Sequence, residues 1–191
     1  VVVDALVLAG GRARRFGGVV KPLIDVGGRT ILERQLDVLR PRARRVWLST
    51  NDPRPFSAFG LPTVADTSPG AGPLAGIAAA LRATDADWLI VVAGDMPRLS
   101  GPVIDVLKSA AGAGLGLVIP DLEPGLEPLH AMYHRSAADV IDARLAAGLR
   151  KAMDLAGVLP TRRIGREQLV AVDPTLSFRA NLNSPEDLVE G

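Results

Sequence analysis

The chain reads as an α/β protein, a three-layer sandwich with a mostly parallel central sheet and helices on both faces. Three observations predict it. Strand-like and helix-like segments alternate along the chain, and repeated strand–helix–strand units favour parallel strands. The strand-like segments are near-continuous apolar runs rather than alternating ones, as expected of strands covered on both sides. The first such run, Val1–Leu8, ends in the glycine pair Gly10-Gly11, a tight turn of the kind that follows a first buried strand.

Each element then has its own local reason. Thr30-x-x-Glu33 is a capping box ahead of Leu32, Leu36 and Leu39, which predicts a helix over Thr30–Leu39. Arg45–Thr50 and Leu61–Ala65 are strands, the second one short. Pro73 suits the first turn of a helix running to Ala83, because a proline lacks the N–H that would be unpaired there. Asp87–Ala93 is the most apolar strand and belongs at the centre of the sheet. Ser100 and Pro102 start a helix that turns Val103, Ile104 and Leu107 inward, and Leu115–Ile119 and Leu129–Tyr133 are further strands. Ser136–Ala147 and Leu149–Ala156 read as helices, Gln168–Val172 and Phe178–Leu182 as short strands. Lys21-Pro22-Leu23 starts another short strand before the Gly27-Gly28 turn, and Pro120–Pro128 is the one long excursion. Ser184-Pro185-Glu186-Asp187 signals a last short helix.

Composition narrows the functions. With 191 residues and 48% hydrophobic content, a single domain over residues 1–191 with a sizeable core is expected. The absence of cysteine excludes disulfides, thiolate zinc sites, iron–sulfur clusters and a cysteine nucleophile, and it suits a reducing, cytoplasmic compartment. A net charge of +1 and only seven aromatic residues argue against a nucleic-acid or membrane-surface binder. The longest apolar runs, such as Ala5–Ala9 and Trp88–Ala93, fall far short of the ~20 residues that cross a bilayer. The amino terminus has no basic stretch leading into an apolar segment, so no signal peptide is expected, and a start at Val1 points to some trimming.

The loop after the first strand carries the strongest chemical signal. In Leu8-Ala9-Gly10-Gly11-Arg12-Ala13-Arg14-Arg15-Phe16-Gly17-Gly18, the glycines let backbone N–H groups approach a phosphate and form an anion nest. Arg12, Arg14 and Arg15 add positive charge, and Lys21 closes the loop in a chain with three lysines against nineteen arginines. The bland alternative is a glycine turn with solvated arginines. The spacing does not make a Walker motif, which needs G-x-x-x-x-G-K-[ST]. A Rossmann-type pattern does occur at Gly70-Ala71-Gly72-Pro73-Leu74-Ala75. It follows a short, weak strand and leaves little chain for a dehydrogenase's second domain.

Acidic residues supply the other half of a site. Asp95, in Gly94-Asp95-Met96-Pro97 after the central strand, is placed to reach a cleft at the carboxyl ends of the strands and to hold Mg²⁺ together with substrate phosphates. Asp66 follows the short strand Leu61–Ala65, and Asn51 follows Arg45–Thr50; each could instead serve a turn. His130 and His134 alternate on one strand, and without cysteine or a third histidine they make a poor zinc site. Packing within the sheet suits them better. No serine stands in a Gly-x-Ser-x-Gly elbow, which disfavours a triad hydrolase. Asn181 and Asn183 alternate near the carboxyl terminus and offer neutral donors and acceptors, or strand-edge and capping roles.

Taken together, Leu8–Gly18 with Lys21, Gly72-Pro73-Leu74-Ala75-Gly76, Gly94-Asp95-Met96-Pro97 and Asn181–Leu188 resemble the molybdenum cofactor guanylyltransferases, within the Rossmann-like nucleotidyltransferases. The resemblance runs in order over nearly the whole chain. It implies transfer of GMP from GTP to the terminal phosphate of molybdenum-bearing molybdopterin, with release of pyrophosphate and dependence on Mg²⁺. It further implies that Leu8, Ala9, Gly10 and Gly11 contact the nucleotide, that Arg15 and Lys21 act on its phosphates, and that Asn51 and Asp66 contact GTP. Asp95 would hold the metal, Asn181 and Asn183 would face the pterin, and proteins that assemble or receive the cofactor would be transient partners. Two positions depart from the family pattern: Val20 stands where the family usually has Asp, and His130 stands where a larger apolar residue is expected. The rival readings are a related transferase using CTP or another acceptor, and a non-catalytic nucleotide-binding homologue, which Val20 alone supports.

Overall fold

The computed structural model describes residues 1–10, 20–66 and 72–181. Among them, eight strands form one sheet: β1 (Val3–Leu8), β2 (Val46–Ser49), β3 (Thr63–Val64), β4 (Trp88–Ala93), β5 (Leu117–Leu122), β6 (Gly125–Leu126), β7 (His130–His134) and β8 (Thr161–Gly165). Their order is β3-β2-β1-β4-β7-β5-β6, and β8 also pairs with β5. β1 runs parallel to β2 and β4, β2 to β3, and β5 to β8, while β7 is antiparallel to both β4 and β5. The sheet is therefore mixed, with a parallel half that holds the first four strands.

Helices cover both faces. α1 (Ile31–Leu39), α3 (Gly101–Ala110) and α5 (Arg166–Val170) bury Leu32, Leu36, Val103, Ile104 and Leu169 against Ala5, Val7, Ile90 and Val92. α2 (Pro73–Ala83) and α4 (Ala137–Ala146) bury Leu74, Ile77, Ala138 and Ile141 against Leu6, Leu89 and Val91. Both β1 and β4 thus bury successive side chains on opposite faces, the reason their sequences are apolar throughout. The Thr30 capping box forms as expected. Glu33 N–H donates to Thr30 Oγ1 at 3.2 Å, and Thr30 N–H donates to the Glu33 carboxylate at 2.7 Å.

Several expectations are corrected. Gln168–Val170 belongs to helix α5 and Ala171-Val172 to the turn after it, and the strand lies earlier at Thr161–Gly165. β8 buries only Ile164 while Arg162 and Arg163 point outward, so an edge strand of this kind has almost no apolar signature. Phe178 sits in a 3-10 turn, Ser177–Arg179, not a strand, and Leu182 lies outside the described residues. Lys21-Pro22-Leu23 is likewise a 3-10 turn, followed by an isolated bridge between Asp25 and Thr30. Of Leu149–Ala156 only the part from Ala152 coils, within a 3-10 segment Ala152–Gly157. The Pro120–Pro128 excursion is the tip of a β5–β6 hairpin. The helix expected after Ser184 falls outside the described residues.

Asp4, the one charge inside the first apolar run, is fully buried at the amino end of β1. Arg44 grips both its oxygens at 3.1 Å, Trp47 Nε1 donates at 3.1 Å and Thr84 Oγ1 at 2.6 Å. Burial alone would raise its pKa, but the hydrogen bonds from Arg44, Thr84 and Trp47 outweigh that and hold the carboxyl below its usual range. This cluster ties β1, β2 and the end of α2 together at the edge of the sheet opposite the candidate site.

His130 is a core residue. It is 1% exposed and lies on Phe178 with ring centroids 4.5 Å apart, and neither ring nitrogen has a hydrogen-bond partner among the described residues. Burial drives its pKa down to about 3, against a small opposing pull from Asp173. The unfolded chain therefore takes up a proton on His130 below about pH 6.5 that the folded chain refuses until about pH 3. Its contribution to stability is complete above pH 6.5 and falls by up to about 1.4 kcal/mol per unit as pH drops through that window. Urea unfolding of His130→Leu as a function of pH is expected to show a flatter acid limb between pH 6.5 and 4 than the wild type; an unchanged limb would show that the ring is protonated in the fold.

Candidate active site

The register of the sheet decides where the loops emerge. Leu8 is level with Ser49 and with Ala93, and Ser49 is level with Val64. The residues that follow these four, namely Ala9-Gly10, Thr50-Asn51, Ala65-Asp66 and Gly94-Asp95, therefore leave the sheet along one edge. β7 runs the other way, with His130 opposite Val92, so the residues leading into it, Glu127–Leu129, arrive at the same edge. The carboxyl end of a parallel sheet is where ligands bind in such folds. A cleft of about 1120 Å³ opens there.

All the described candidates line this cleft: Leu8, Ala9, Gly10, Lys21, Asn51, Asp66, Asp95 and Asn181. Gly11, Arg15 and Asn183 lie outside the described residues. Lys21 and Asp95, 74 positions apart, meet directly, with Lys21 Nζ donating to Asp95 Oδ2 at 2.8 Å. Their side chains are 27% and 22% exposed, so the pair faces the cleft but is partly shielded. Close packing holds it there. Gly94 N–H donates to the Leu8 carbonyl at 3.0 Å, and a Cβ on Gly94 would lie 2.6 Å from Pro22 Cγ and 2.8 Å from the Leu8 oxygen. Only glycine lets the Asp95 turn press this closely on the first loop and on the proline beside Lys21.

A second polar group forms beyond β2 and β3. Asn51 Oδ1 accepts from Asp66 N–H at 2.9 Å, and Ser49 Oγ reaches toward Asp66 Oδ1 at 3.4 Å. Desolvation raises the Asp66 pKa, partly countered by the Ser49 hydroxyl. Asp66 Oδ2 lies 4.0 Å from the Cβ position of Gly10, which places its carboxylate beside the first loop. α2 starts at this wall, with Gly72 and Pro73 lining the cleft. The partial positive charge of its amino end would face an anionic ligand seated there. The motif Gly72–Gly76 therefore contributes a helix start to the same cleft as the first loop. Inside α2, a Cβ on Gly76 would collide with Ser49 Oγ at 2.3 Å, so this glycine lets the helix pack on the end of β2.

Residues 5–163 match the MobA-like NTP transferase domain. The chain belongs to this family. It is 31% identical over 186 residues to the molybdenum cofactor guanylyltransferase of Desulfosudis oleivorans, covering 97% of this chain and 92% of that protein. It is 36% identical over 186 residues to the probable molybdenum cofactor guanylyltransferase of Opitutus terrae, covering 95% and 90%. The crystal structure of molybdopterin-guanine dinucleotide biosynthesis protein A from Archaeoglobus fulgidus shares the fold with a TM-score of 0.83 and 30% identity, over 98% of this chain and 95% of that one.

In this MobA-like transferase the departure at Val20 is a packing feature. Val20 is partly buried against the apolar cluster under α1, and its carbonyl accepts from Leu23 N–H at 2.8 Å to close the turn that presents Lys21. Three further residues at the site carried no signal in the sequence. Glu127 lines the cleft and pairs with Arg179 at 2.8 Å, which ties the wall before β7 to the segment leading into Asn181. Ser49 ends β2 beside Asp66. Gln35, buried on α1, donates to the Ala93 and Met96 carbonyls on either side of Gly94-Asp95. Each gains its role from a partner far away in the chain, which spacing within a motif cannot reveal. No helix among the described residues is long and apolar enough to cross a membrane.

Proposed function

We propose that this chain transfers GMP from GTP to the terminal phosphate of molybdenum-bearing molybdopterin and releases pyrophosphate, working in the cytoplasm as one domain over residues 1–191. The observation that carries the reading is the meeting of Lys21 and Asp95 in the cleft above β1 and β4, which Gly10 and Asp66 also line.

The donor set suits Mg²⁺. No cluster of three or more metal-ligating side chains occurs among the described residues, and Mg²⁺ binds through one or two carboxylates together with substrate phosphates and water, not through an all-protein cage. Asp95 is that carboxylate. Asp95 would hold the ion, which would supply charge neutralisation to the phosphates and so favour departure of pyrophosphate.

The acceptor phosphate is already ionised near neutral pH, so the protein needs no general base. An acceptor oxygen bonds to the α-phosphorus of GTP as the bond to the β-phosphate oxygen breaks, and the electron pair leaves with pyrophosphate. The Ala9 N–H is held by the Ser49 carbonyl at 2.9 Å, so the backbone N–H of Gly10 is the donor that meets the nucleotide, and Lys21 and Arg15 stabilise charge that builds on the leaving group. Asn181 and Asn183 hold the acceptor in line, which supplies the positioning that such a displacement depends on.

Asp66 supports guanine over cytosine. The pairing edge of guanine presents two N–H donors. The Asn51 carbonyl oxygen already accepts from Asp66 N–H, whereas the Asp66 carboxylate has two acceptor oxygens and can take both guanine donors at once. Its raised pKa reflects removal from water, which strengthens a hydrogen bond that the carboxylate accepts.

Thermal melting tests the reading directly. With Mg²⁺, GTP at 100 times its dissociation constant is expected to add about 2.7 kcal/mol, a rise of about 5–10 °C for a chain of this size. CTP and ATP at the same concentration should raise the midpoint far less. Pyrophosphate release should then need both GTP and the molybdenum-bearing pterin. An equal shift with CTP would overturn guanine recognition, and binding without release would make the chain a non-catalytic homologue.

A further inference from the structure

Gln35 occupies a position where α1 otherwise buries Ile31, Leu32, Leu36 and Leu39, and it is itself fully buried. Its Nε2 donates to the Ala93 carbonyl at 2.8 Å and to the Met96 carbonyl at 2.9 Å. Two facing carbonyls require the nitrogen end of the amide, so the other end is Oε1. Oε1 is buried with no hydrogen-bond partner among the described residues. A leucine or methionine would fill the same volume without burying Oε1, at the expense of the donor to the Ala93 and Met96 carbonyls. The amide is thus poorly explained by packing and well explained by what its nitrogen holds.

The two carbonyls bracket Gly94-Asp95. Within the turn itself the closing bond is long, Met96 N–H to the Ala93 carbonyl at 3.4 Å. Gln35 adds two shorter bonds from a rigid helix, one to each end of the turn. Gly94 is meanwhile pressed on Pro22 and Leu8, so the turn has a wall on one side and the Gln35 clamp beneath it. We propose that Gln35 is a positioning residue, fixing the Gly94-Asp95 turn so that the Asp95 carboxylate stands where Lys21 and a metal-bound triphosphate meet it. The proposal rests on the reading of Asp95 as the metal-binding carboxylate.

Two measurements on the full-length protein separate this role from simple packing. One is the kcat and KM for GTP from pyrophosphate release. The other is Mn²⁺ affinity in the presence of GTP, read by electron paramagnetic resonance. Gln35→Met removes the donors at nearly constant volume. It is expected to stay folded with a melting midpoint lowered by several degrees, because the Ala93 and Met96 carbonyls lose their donor, to lower kcat by about 10–100-fold, and to weaken Mn²⁺ binding by about tenfold or more, as loss of outer-shell support does elsewhere. KM for GTP should move by less than about threefold, because the nucleotide's own contacts are intact. Gln35→His keeps a ring N–H and should recover part of both losses; Gln35→Leu repeats the test in a second apolar shape should the Met variant not fold. A folded Met or Leu variant with kcat and Mn²⁺ affinity within about twofold of wild type overturns the proposal, as does a loss confined to KM. Asp95→Asn is measured alongside. If it leaves Mn²⁺ binding unchanged, the metal reading of Asp95 falls first. If it weakens Mn²⁺ binding and Gln35→Met does not, only the role of Gln35 falls.

Discussion

Asp95→Ala is expected to lower Mg²⁺-dependent pyrophosphate release by about 10³-fold or more while leaving the fold in place. The size follows from the chemistry. Loss of one preorganised group that stabilises transition-state charge costs about 10²–10³ in kcat, and here the metal that neutralises the leaving group loses its protein ligand as well. The small effect on stability follows from exposure. Asp95 and Lys21 are 22% and 27% exposed, and an ion pair open to solvent on one side is worth about 1 kcal/mol or less. That corresponds to a fall of about 2–4 °C in the melting midpoint, small enough that the variant remains folded at assay temperature. Pyrophosphate release and thermal melting on the same preparation check both halves. A variant that releases pyrophosphate at a near-normal rate removes Asp95 from the mechanism, and a collapse of the melting midpoint would make it a structural residue.

The parts of the fold legible in the sequence are those whose signals are local. The Thr30–Glu33 box carries its own start signal, Pro73 marks the first residue of α2, and the uninterrupted run Trp88–Ala93 places β4 between two neighbours. The meeting of Gly10, Lys21 and Asp95 in one cleft is legible for a related reason: each follows an apolar strand or its loop, and a parallel sheet delivers such residues to one edge. What was not legible depends on distance along the chain. Gln35 reads as one polar residue in an amphipathic helix, and its meaning comes from carbonyls 58 and 61 residues on. Glu127 gains a cleft-wall role through Arg179, 52 residues away. β8 hides because only Ile164 faces inward. The turn at Ser177–Arg179 hides because Phe178 is buried against His130, which makes an apolar residue in a coil look like part of a strand. Asp4 shows the converse: a charge that breaks an apolar run without ending the strand, because Arg44, Trp47 and Thr84 satisfy it.

Lys21→Ala provides the other large effect, and it is one in which two measured quantities move in opposite directions. Lys21 holds Asp95 Oδ2 at 2.8 Å in the nucleotide-free protein, the same carboxylate that would ligate the metal. Lysine and metal therefore compete for that carboxylate until a triphosphate gives the ammonium a new partner. Removing the ammonium is expected to lower kcat by about 10²–10³-fold through loss of charge stabilisation on the departing pyrophosphate. It should also tighten Mn²⁺ binding in the absence of nucleotide, since a positive charge no longer occupies the carboxylate. Lys21→Arg keeps the charge and should restore part of the rate and much of the weak metal affinity, although its planar fork reaches the phosphates differently. Single-turnover rates and Mn²⁺ titrations with and without GTP distinguish the outcomes. Small changes in both kcat and KM would assign Lys21 to structure, as would unaltered metal binding alongside a lowered melting midpoint. A fall in rate joined to a gain in free-enzyme metal affinity has a different cause: the ammonium belongs to the ligand's path and not merely to the wall of the cleft.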